Sequence, residues 1–180
     1  KQDYDTRVMN VIDANGKVVT PGFIDLHAHG NPLQNNQLEN FLAMGVTTIT
    51  LGQDGASPNY NPLSDWLDQI INKGIGTNLA MFVGHGTLRN LSGIGLSDSP
   101  SKDDLQKISK ILNETLEYTF GLSTGLEYNP GLHAKPDELN QLARIVGNHD
   151  RLIMSHMRNE DDDQLEASIA ELLDQGQFAR

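Results

Sequence analysis

The chain has 180 residues, with 13 Lys and Arg against 24 Asp and Glu, and a formal net charge of −11. This length is enough for one domain with a sizeable core. The acidic balance argues against a nucleic-acid partner, since phosphate binding needs clustered Lys and Arg, and no apolar run approaches the roughly 20 residues of a membrane span. The sequence lacks an initiator Met and reads as if it starts within a protein, so the expected cytoplasmic location leaves room for an upstream signal peptide.

A weak alternation of apolar and polar residues marks the start of the chain. It runs from residue 7 to residue 20 around the dipeptide Asn15-Gly16. Such a pattern predicts a β-hairpin, which we expect to stand before the main fold and outside it.

The next stretch, residues 21–30, reads Pro-Gly-Phe-Ile-Asp-Leu-His-Ala-His-Gly and predicts a short buried strand after a Pro-Gly turn. His27 and His29 lie two positions apart, and on a strand residues i and i+2 point to the same face. Two imidazoles on one face at the carboxyl end of a strand are typical of a divalent metal site, although a bare His-x-His also occurs in exposed loops. Asp25 is interpreted as a hydrogen-bonding residue that stiffens the strand end.

The rest of the chain alternates predicted strands with predicted helices. Further strands are predicted at 46–51, 79–83, 120–126 and 152–155. Helices are predicted to begin near residues 37, 61, 101 and 137, and the acidic run Glu160–Asp163 is interpreted as the polar start of a last helix. Asn61-Pro62 is interpreted as an N-cap and N1 pair, and Ser101 with Asp104 resembles a capping box. The last helix is predicted to bury Leu165, Ile169, Leu172 and Leu173.

Each predicted strand ends in a polar side chain. These side chains belong to His27, Asp54, His85, Glu127 and His156. Their intervals of roughly 30 to 40 residues are normal for a βα repeat, and strands that read as apolar runs favour a parallel sheet covered on both faces.

Two architectures fit this α/β pattern, a doubly wound open sheet and a (β/α)₈ barrel. No Gly-x-Gly-x-x-Gly turn follows the first strand, which disfavours the dinucleotide-binding version of the open sheet. Polar residues at every strand end favour the barrel, whose sites gather on its C-terminal face. A barrel needs about 250 residues, and only five βα units are found here, so the sequence is interpreted as part of a longer barrel.

Five motifs in order strengthen this interpretation. They are Pro21–His29, Gly45–Gly55, Val83–Arg89, Gly121–Tyr128 and Ser155–Glu160. Together they resemble the D-aminoacylases (N-acyl-D-amino-acid deacylases) of the metal-dependent amidohydrolase superfamily, from about residue 16 to the end. The resemblance implies a TIM barrel of amidohydrolase type, with its first five βα units at residues 21–180. It also implies that residues 1–20 belong to a small β-sandwich domain.

The resemblance also implies a metal site with one or two zinc ions. It makes His27 and His29 ligands of one ion and His156 a ligand of the other. The family's strand-two ligand is a cysteine, and this chain, which has no cysteine, carries Asp54 there. A carboxylate binds zinc and bridges two ions, so Asp54 is the expected replacement, with Glu127 as the alternative. The family's further histidine ligand comes from strand six and its catalytic aspartate from strand eight, and neither is in this chain.

Three residues are candidates for contact with substrate. Tyr128 resembles a pocket tyrosine of the family, although a tyrosine at a strand end is often rim packing. Arg158 is suited to clamp a carboxylate with two hydrogen bonds, or else to pair with Glu160 or a helix-start aspartate. His85, between two glycines, is expected either to line the pocket or to orient the loop by hydrogen bonding.

The function that the resemblance implies is zinc-dependent hydrolysis of the linear amide bond of a small molecule, an N-acyl-D-amino acid. Two alternatives remain open from the sequence. One is another amide hydrolase of the superfamily, such as a dihydroorotase-like or hydantoinase-like ring opener or a β-aspartyl dipeptidase. The other is a barrel that acts as a scaffold without catalysis, which would carry no metal.

Overall fold

The computed structural model describes residues 12–179. Its strands are β1 (Phe23–Asp25), β2 (Val46–Leu51), β3 (Asn78–Gly84), β4 (Gly121–Gly125) and β5 (Leu152–His156). Its helices are α1 (Glu39–Ala43), α2 (Ser64–Lys73), α3 (His85–Ser92), α4 (Lys102–Leu116), α5 (Pro136–Asn148) and α6 (Leu165–Phe178), with a 3₁₀ turn at Gly131–His133. In the part of the chain so described, no helix combines the length and apolar character needed to cross a bilayer.

All five strands are parallel and lie side by side in sequence order, β1-β2-β3-β4-β5. Each strand therefore pairs with the next one along the chain, and the intervening helices cover the sheet, as in a (β/α)₈ barrel. The predicted fold class is confirmed: the chain holds five βα units of such a barrel. Because the strands are parallel, all of their carboxyl ends meet at one edge.

The core lies between the sheet and its helices in two main clusters. One packs Leu122 of β4 against Ile108 and Leu112 of α4 and Val146 of α5. The other packs Ile49 and Leu51 of β2 and Met81 of β3 against α2, which contributes Trp66 and Ile70. β-Branched and long aliphatic side chains at these positions explain why the segments 46–51 and 102–116 adopt their predicted elements.

The ends of α4 and α2 test the helix boundaries predicted from the sequence. Ser101 accepts a hydrogen bond from the backbone N–H of Asp104, and the Asp104 carboxylate accepts one from the backbone N–H of Ser101, which confirms the capping box. Gly74 ends α2 with a φ of 71°. The predicted start of α2 is wrong, because the helix begins at Ser64 with Leu63 as its N-cap, two residues after Pro62.

Helix α3 is an element that the sequence did not predict. The Gly84-His85-Gly86 tripeptide resembles a loop, yet the helix starts at His85 directly after β3. Tertiary contacts explain the difference, since His85 is fully buried and packs beneath the segment at Gly131, and a glycine at 86 allows close approach of Gly55 and Pro130.

Two predictions of burial are wrong. β1 is exposed, with Phe23 and Ile24 at 58% and 62% accessibility, because among the described strands only β2 pairs with it. Helix α6 packs on α5 and buries Ser168 and Gln175, while its apolar residues Ile169 and Leu173 remain exposed on a face that no described element covers.

The predicted hairpin at residues 7–20 falls partly outside the described residues. Residues 12–20 contain the predicted turn, in which the N–H of Lys17 donates to the carbonyl of Ala14 at 2.9 Å, and no strand. The assignment of residues 1–20 to a β-sandwich stays a prediction.

Candidate metal centre

The two histidines of the first motif follow β1 at the carboxyl edge of the sheet. The backbone N–H of Ala28, between them, donates to the carbonyl of Thr50 at 3.1 Å, and Ala28 is buried. His27 and His29 therefore project away from the core into the space at the sheet edge. The Asp25 carboxylate accepts from the backbone N–H of His27 at 3.1 Å, the strand-stiffening contact expected of it.

Asp54 reaches the same space from the turn after β2. Its φ of 54° lies in the left-handed region, which Asp tolerates better than most residues. Gly55 follows with a φ of 73°, and a Cβ there would lie 2.8 Å from the backbone nitrogen of Gly125. Turn and strand thus touch backbone to backbone, which only glycine allows.

Two buried polar side chains hold this turn in place, and neither was predicted from the sequence. Ser123 of β4 accepts a hydrogen bond from the N–H of Gly55 at 3.1 Å and donates one to the carbonyl of Gly52. The amide of Gln53 donates to the carbonyl of Leu26 at 3.1 Å, which joins the turn to the end of β1. Gln53 lies within the Gly45–Gly55 motif. The sequence signal that could have indicated its structural role is a polar residue in a turn bounded by two glycines.

The side chains of His27, His29 and Asp54 converge on one point. The two histidine Nε2 atoms are 3.2 Å apart, and they lie 3.2 Å and 3.0 Å from Oδ2 of Asp54. Atoms bound to one zinc ion at about 2.0–2.2 Å and at the tetrahedral angle are about 3.4 Å apart. The three atoms therefore have nearly the spacing of one face of a metal tetrahedron.

The second oxygen of Asp54 supports the same conclusion. Oδ1 is buried and has no hydrogen-bond partner among the described residues, and Nδ1 of His156 faces it at 3.7 Å. A buried carboxylate oxygen without a partner is costly in free energy unless a cation or water contacts it. The donor set of this site, two imidazoles and a carboxylate with a third imidazole nearby, fits one or two divalent ions.

Tyr128 lies beside this cluster and is 45% exposed. Its ring packs against the ring of His156 with the centroids 4.7 Å apart. Desolvation, and then the negative charges of Glu127, Asp54 and Glu160, raise the pKa of the Tyr128 phenol above its ordinary value. The hydroxyl thus stays protonated at neutral pH and is available to donate a hydrogen bond.

His85 lies away from any surface that a solute reaches. It is fully buried, and its Nε2 contacts Oε1 of Glu138 at 2.7 Å. Arg89, also fully buried, forms two hydrogen bonds of 2.8 and 3.0 Å to the same carboxylate. These contacts join α3 to α5, and a role for His85 in lining the pocket or in orienting a loop stays a prediction.

Arg158 is occupied within the protein. Its guanidinium forms hydrogen bonds of 2.9 and 2.8 Å to the two carboxylate oxygens of Glu171. It also donates to the carbonyls of Leu132 and Ala134. The bidentate geometry expected of Arg158 is therefore present, but its partner is on α6, neither a ligand nor the expected Glu160.

Two cavities flank the cluster. One, of about 370 Å³, opens beside His29 and is lined in part by Leu33 and Tyr60. The other, of about 330 Å³, opens beside Asp54 and is lined in part by Asn90 and Tyr128. Each cavity leaves room for part of a small molecule beside the converging ligand atoms.

We expect His27→Ala and His156→Ala each to lose bound metal while the fold is retained. Both side chains project from strand ends into the cluster and contribute little to the core, with His27 about half exposed. Metal analysis and circular dichroism of the purified variants, compared with a His133→Ala control in the 3₁₀ turn, would measure this. Wild-type metal content in both variants would show that neither histidine is a ligand.

Comparisons with known proteins agree with this geometry. No protein-family model matches the chain. An N-acyl-D-glutamate deacylase of Alcaligenes xylosoxydans xylosoxydans is 30% identical over 185 residues, which cover 90% of this chain and 38% of that protein. The chain thus spans well under half the length of this curated relative.

Solved structures give the same result in three dimensions. The crystal structure of N-acyl-D-glutamate deacylase from Bordetella bronchiseptica, complexed with zinc and a phosphonate mimic of the tetrahedral intermediate, superposes with a TM-score of 0.82 at 30% identity. It matches 87% of this chain and 38% of its own. A D-aminoacylase structure concerned with its binuclear metal centre gives 0.81 at 26% identity, over 88% of this chain and 38% of its own. The chain is therefore a homologue of the D-aminoacylases, N-acyl-D-amino-acid deacylases of the amidohydrolase superfamily, over the five βα units that it contains.

Proposed function

We propose that the protein to which this chain belongs is a metal-dependent hydrolase that cleaves the amide bond of N-acyl-D-amino acids. The products are a carboxylate and a D-amino acid. The observation that carries the proposal is the convergence of three ligand atoms, from His27, His29 and Asp54, within 3.2 Å of one another. The substrate class is supported by the deacylase activities in the names of the relatives.

We assign the metal, zinc as one or two ions, to these residues. His27 and His29 would hold one ion with Oδ2 of Asp54, and Oδ1 of Asp54 with His156 would hold the other. When bound, zinc lowers the pKa of a coordinated water and polarises the amide carbonyl. The zinc complex of the Bordetella bronchiseptica relative supports this choice of ion.

Residues of this chain orient the Asp54 carboxylate and supply a hydrogen-bond donor near it. The turn at residues 52–55, held by Ser123 and Gln53, fixes the direction of the Asp54 carboxylate. Tyr128, protonated and half-exposed beside His156, is positioned to donate a hydrogen bond to an oxygen of the substrate. The two cavities, beside His29 and beside Asp54, would leave room for the acyl group and the amino-acid part of the substrate.

A substrate panel with the intact protein tests the proposal. We expect hydrolysis of N-acetyl-D-amino acids at least about 100-fold faster than of their L enantiomers, because a mirror-image substrate misplaces several contacts at once. Chelation should abolish the activity and added zinc should restore it. Preferred turnover of a cyclic amide or of a β-aspartyl dipeptide would replace the proposal with another amide hydrolase, and a metal-free inactive protein would favour a scaffold.

A further inference from the structure

Glu127 contacts the side of His156 that faces away from the ligand cluster. Its Oε2 lies 2.8 Å from Nε2 of His156, the length of a charge-assisted hydrogen bond. The other ring nitrogen, Nδ1, faces Oδ1 of Asp54 at 3.7 Å. One imidazole thus links two carboxylates, one on each nitrogen.

The two contacts differ in kind. A distance of 3.7 Å is too long for a hydrogen bond but is within a few tenths of the roughly 3.4 Å that separates two ligands of one tetrahedral ion. A neutral imidazole carries one N–H, and a nitrogen that binds metal must present a bare lone pair. A proton held on Nε2 by Glu127 therefore leaves Nδ1 free to bind metal.

We propose that Glu127 is a positioning residue that fixes the tautomer and the ring direction of His156, so that Nδ1 points to the metal position shared with Asp54. This inference rests on the proposed function, in which His156 binds metal. Carboxylates that accept from the outer nitrogen of a metal-bound histidine orient the ring and raise its basicity.

The arrangement also favours Asp54 over Glu127 as the carboxylate ligand. The ligand atoms that lie within 4.8 Å of one another in the described part of the chain come from His27, His29 and Asp54. Glu127 instead reaches His156 from the solvent side, with a half-exposed carboxylate. On this proposal Glu127 acts through His156, and Asp54 is the carboxylate ligand.

Glu160 offers a matched control. Its Oε1 lies 3.8 Å from the same Nε2, beyond hydrogen-bond distance, and its side chain is more exposed than that of Glu127. The two residues have the same charge and the same neighbour and differ in contact. If the glutamates acted only through their charge, replacing either one would change zinc affinity. If Glu127 acts through a hydrogen bond, only its replacement would do so.

The test measures zinc binding to the intact protein without substrate, by competition with a chromophoric chelator. We expect Glu127→Ala to weaken zinc binding at the position shared by Asp54 and His156 about 10- to 100-fold, and Glu127→Gln to weaken it less. Glu160→Gln should change it less than about 2-fold. Long-range ¹⁵N NMR of the zinc-loaded protein should find the proton of His156 on Nε2.

Three results would overturn the inference. The first is unchanged zinc affinity in Glu127→Ala, and the second is a proton on Nδ1 of zinc-loaded His156. The third is complete loss of zinc in Glu127→Ala, which would make Glu127 a ligand. A wild-type protein that binds no zinc would refute the proposed function as well, so zinc bound to the wild-type protein separates the two failures.

Discussion

Asp54→Ala is expected to abolish metal binding at the cluster. Oδ2 of Asp54 completes the ligand triangle with His27 and His29, and its Oδ1 is the buried oxygen that faces His156. Removing outer contacts of metal ligands already costs about 10- to 100-fold in affinity. Loss of a ligand shared by both positions should therefore exceed about 100-fold, as measured by metal titration of the intact protein.

Two further variants separate the ligand role from the backbone role. Asp54→Asn keeps a residue that tolerates the left-handed backbone at a φ of 54° but removes the charge. It should fold like the wild type and still lose most metal affinity. Asp54→Cys should keep a metal and shift preference from manganese toward zinc, since thiolate is the softer ligand.

The competing interpretation is that Asp54 only caps the loop before Gly55. In that case Asp54→Ala would cost about 1–2 kcal/mol of stability and keep its metal, while Glu127→Ala would abolish binding. Among the described residues, no backbone N–H donates to the Asp54 carboxylate, so the capping contact is absent there. Metal retained without Asp54 and lost without Glu127 would contradict our assignment.

Glu138→Ala is expected to destabilise the protein by about 3–5 kcal/mol. Glu138 is 2% exposed and is the shared partner of Arg89 and His85, both fully buried. Its removal leaves a buried guanidinium without its counter-charge. Small domains have about 5–15 kcal/mol of stability in total, so the loss should be visible as a large decrease in the urea midpoint.

A double variant tests this mechanism. Replacing the pair by apolar residues of similar volume, Arg89→Met with Glu138→Leu, should recover much of the loss, because it removes the unpaired charge. Arg89 also donates to the carbonyls of Gly95 and Ser97, so recovery should be incomplete. A Glu138→Ala variant that loses less than about 1 kcal/mol would show that the network is not a stabilising contact.

The fold was largely predictable because its signals are local. The β-branched run at 46–51 and the capping box at Ser101 and Asp104 determine their elements from neighbouring residues alone. The strand order could be expected as well, since sequential parallel strands follow from the βα repeat. The burial of β1 and α6 was mispredicted, because burial depends on which other elements pack against their apolar faces. The spacing of apolar residues along the sequence does not contain that information.

The convergence of the candidate ligands was predictable where spacing along the chain decides the geometry. β1 ends at Asp25, but the hydrogen bond from the N–H of Ala28 to the carbonyl of Thr50 continues its alternation, so His27 and His29 share a face. The resemblance to the family supplied Asp54 and His156. The partners of His85 and Arg158 were not predictable, because Glu138 and Glu171 lie 53 and 13 residues further along the chain. Such pairings arise from the packing of α5 and α6, and many other acidic residues were equally plausible partners.

The sequential order of the strands also determines the order in which the proposed metal ligands are synthesised. Proteins emerge from the ribosome at about 5–20 residues per second and fold from the N-terminus. His27, His29 and Asp54 emerge together with β1 and β2, which pair directly. His156 ends β5 and follows Asp54 by 102 residues (156 − 54), or roughly 5 to 20 s later. The three side chains that we propose for the first metal position are therefore present on the nascent chain well before His156, proposed for the second.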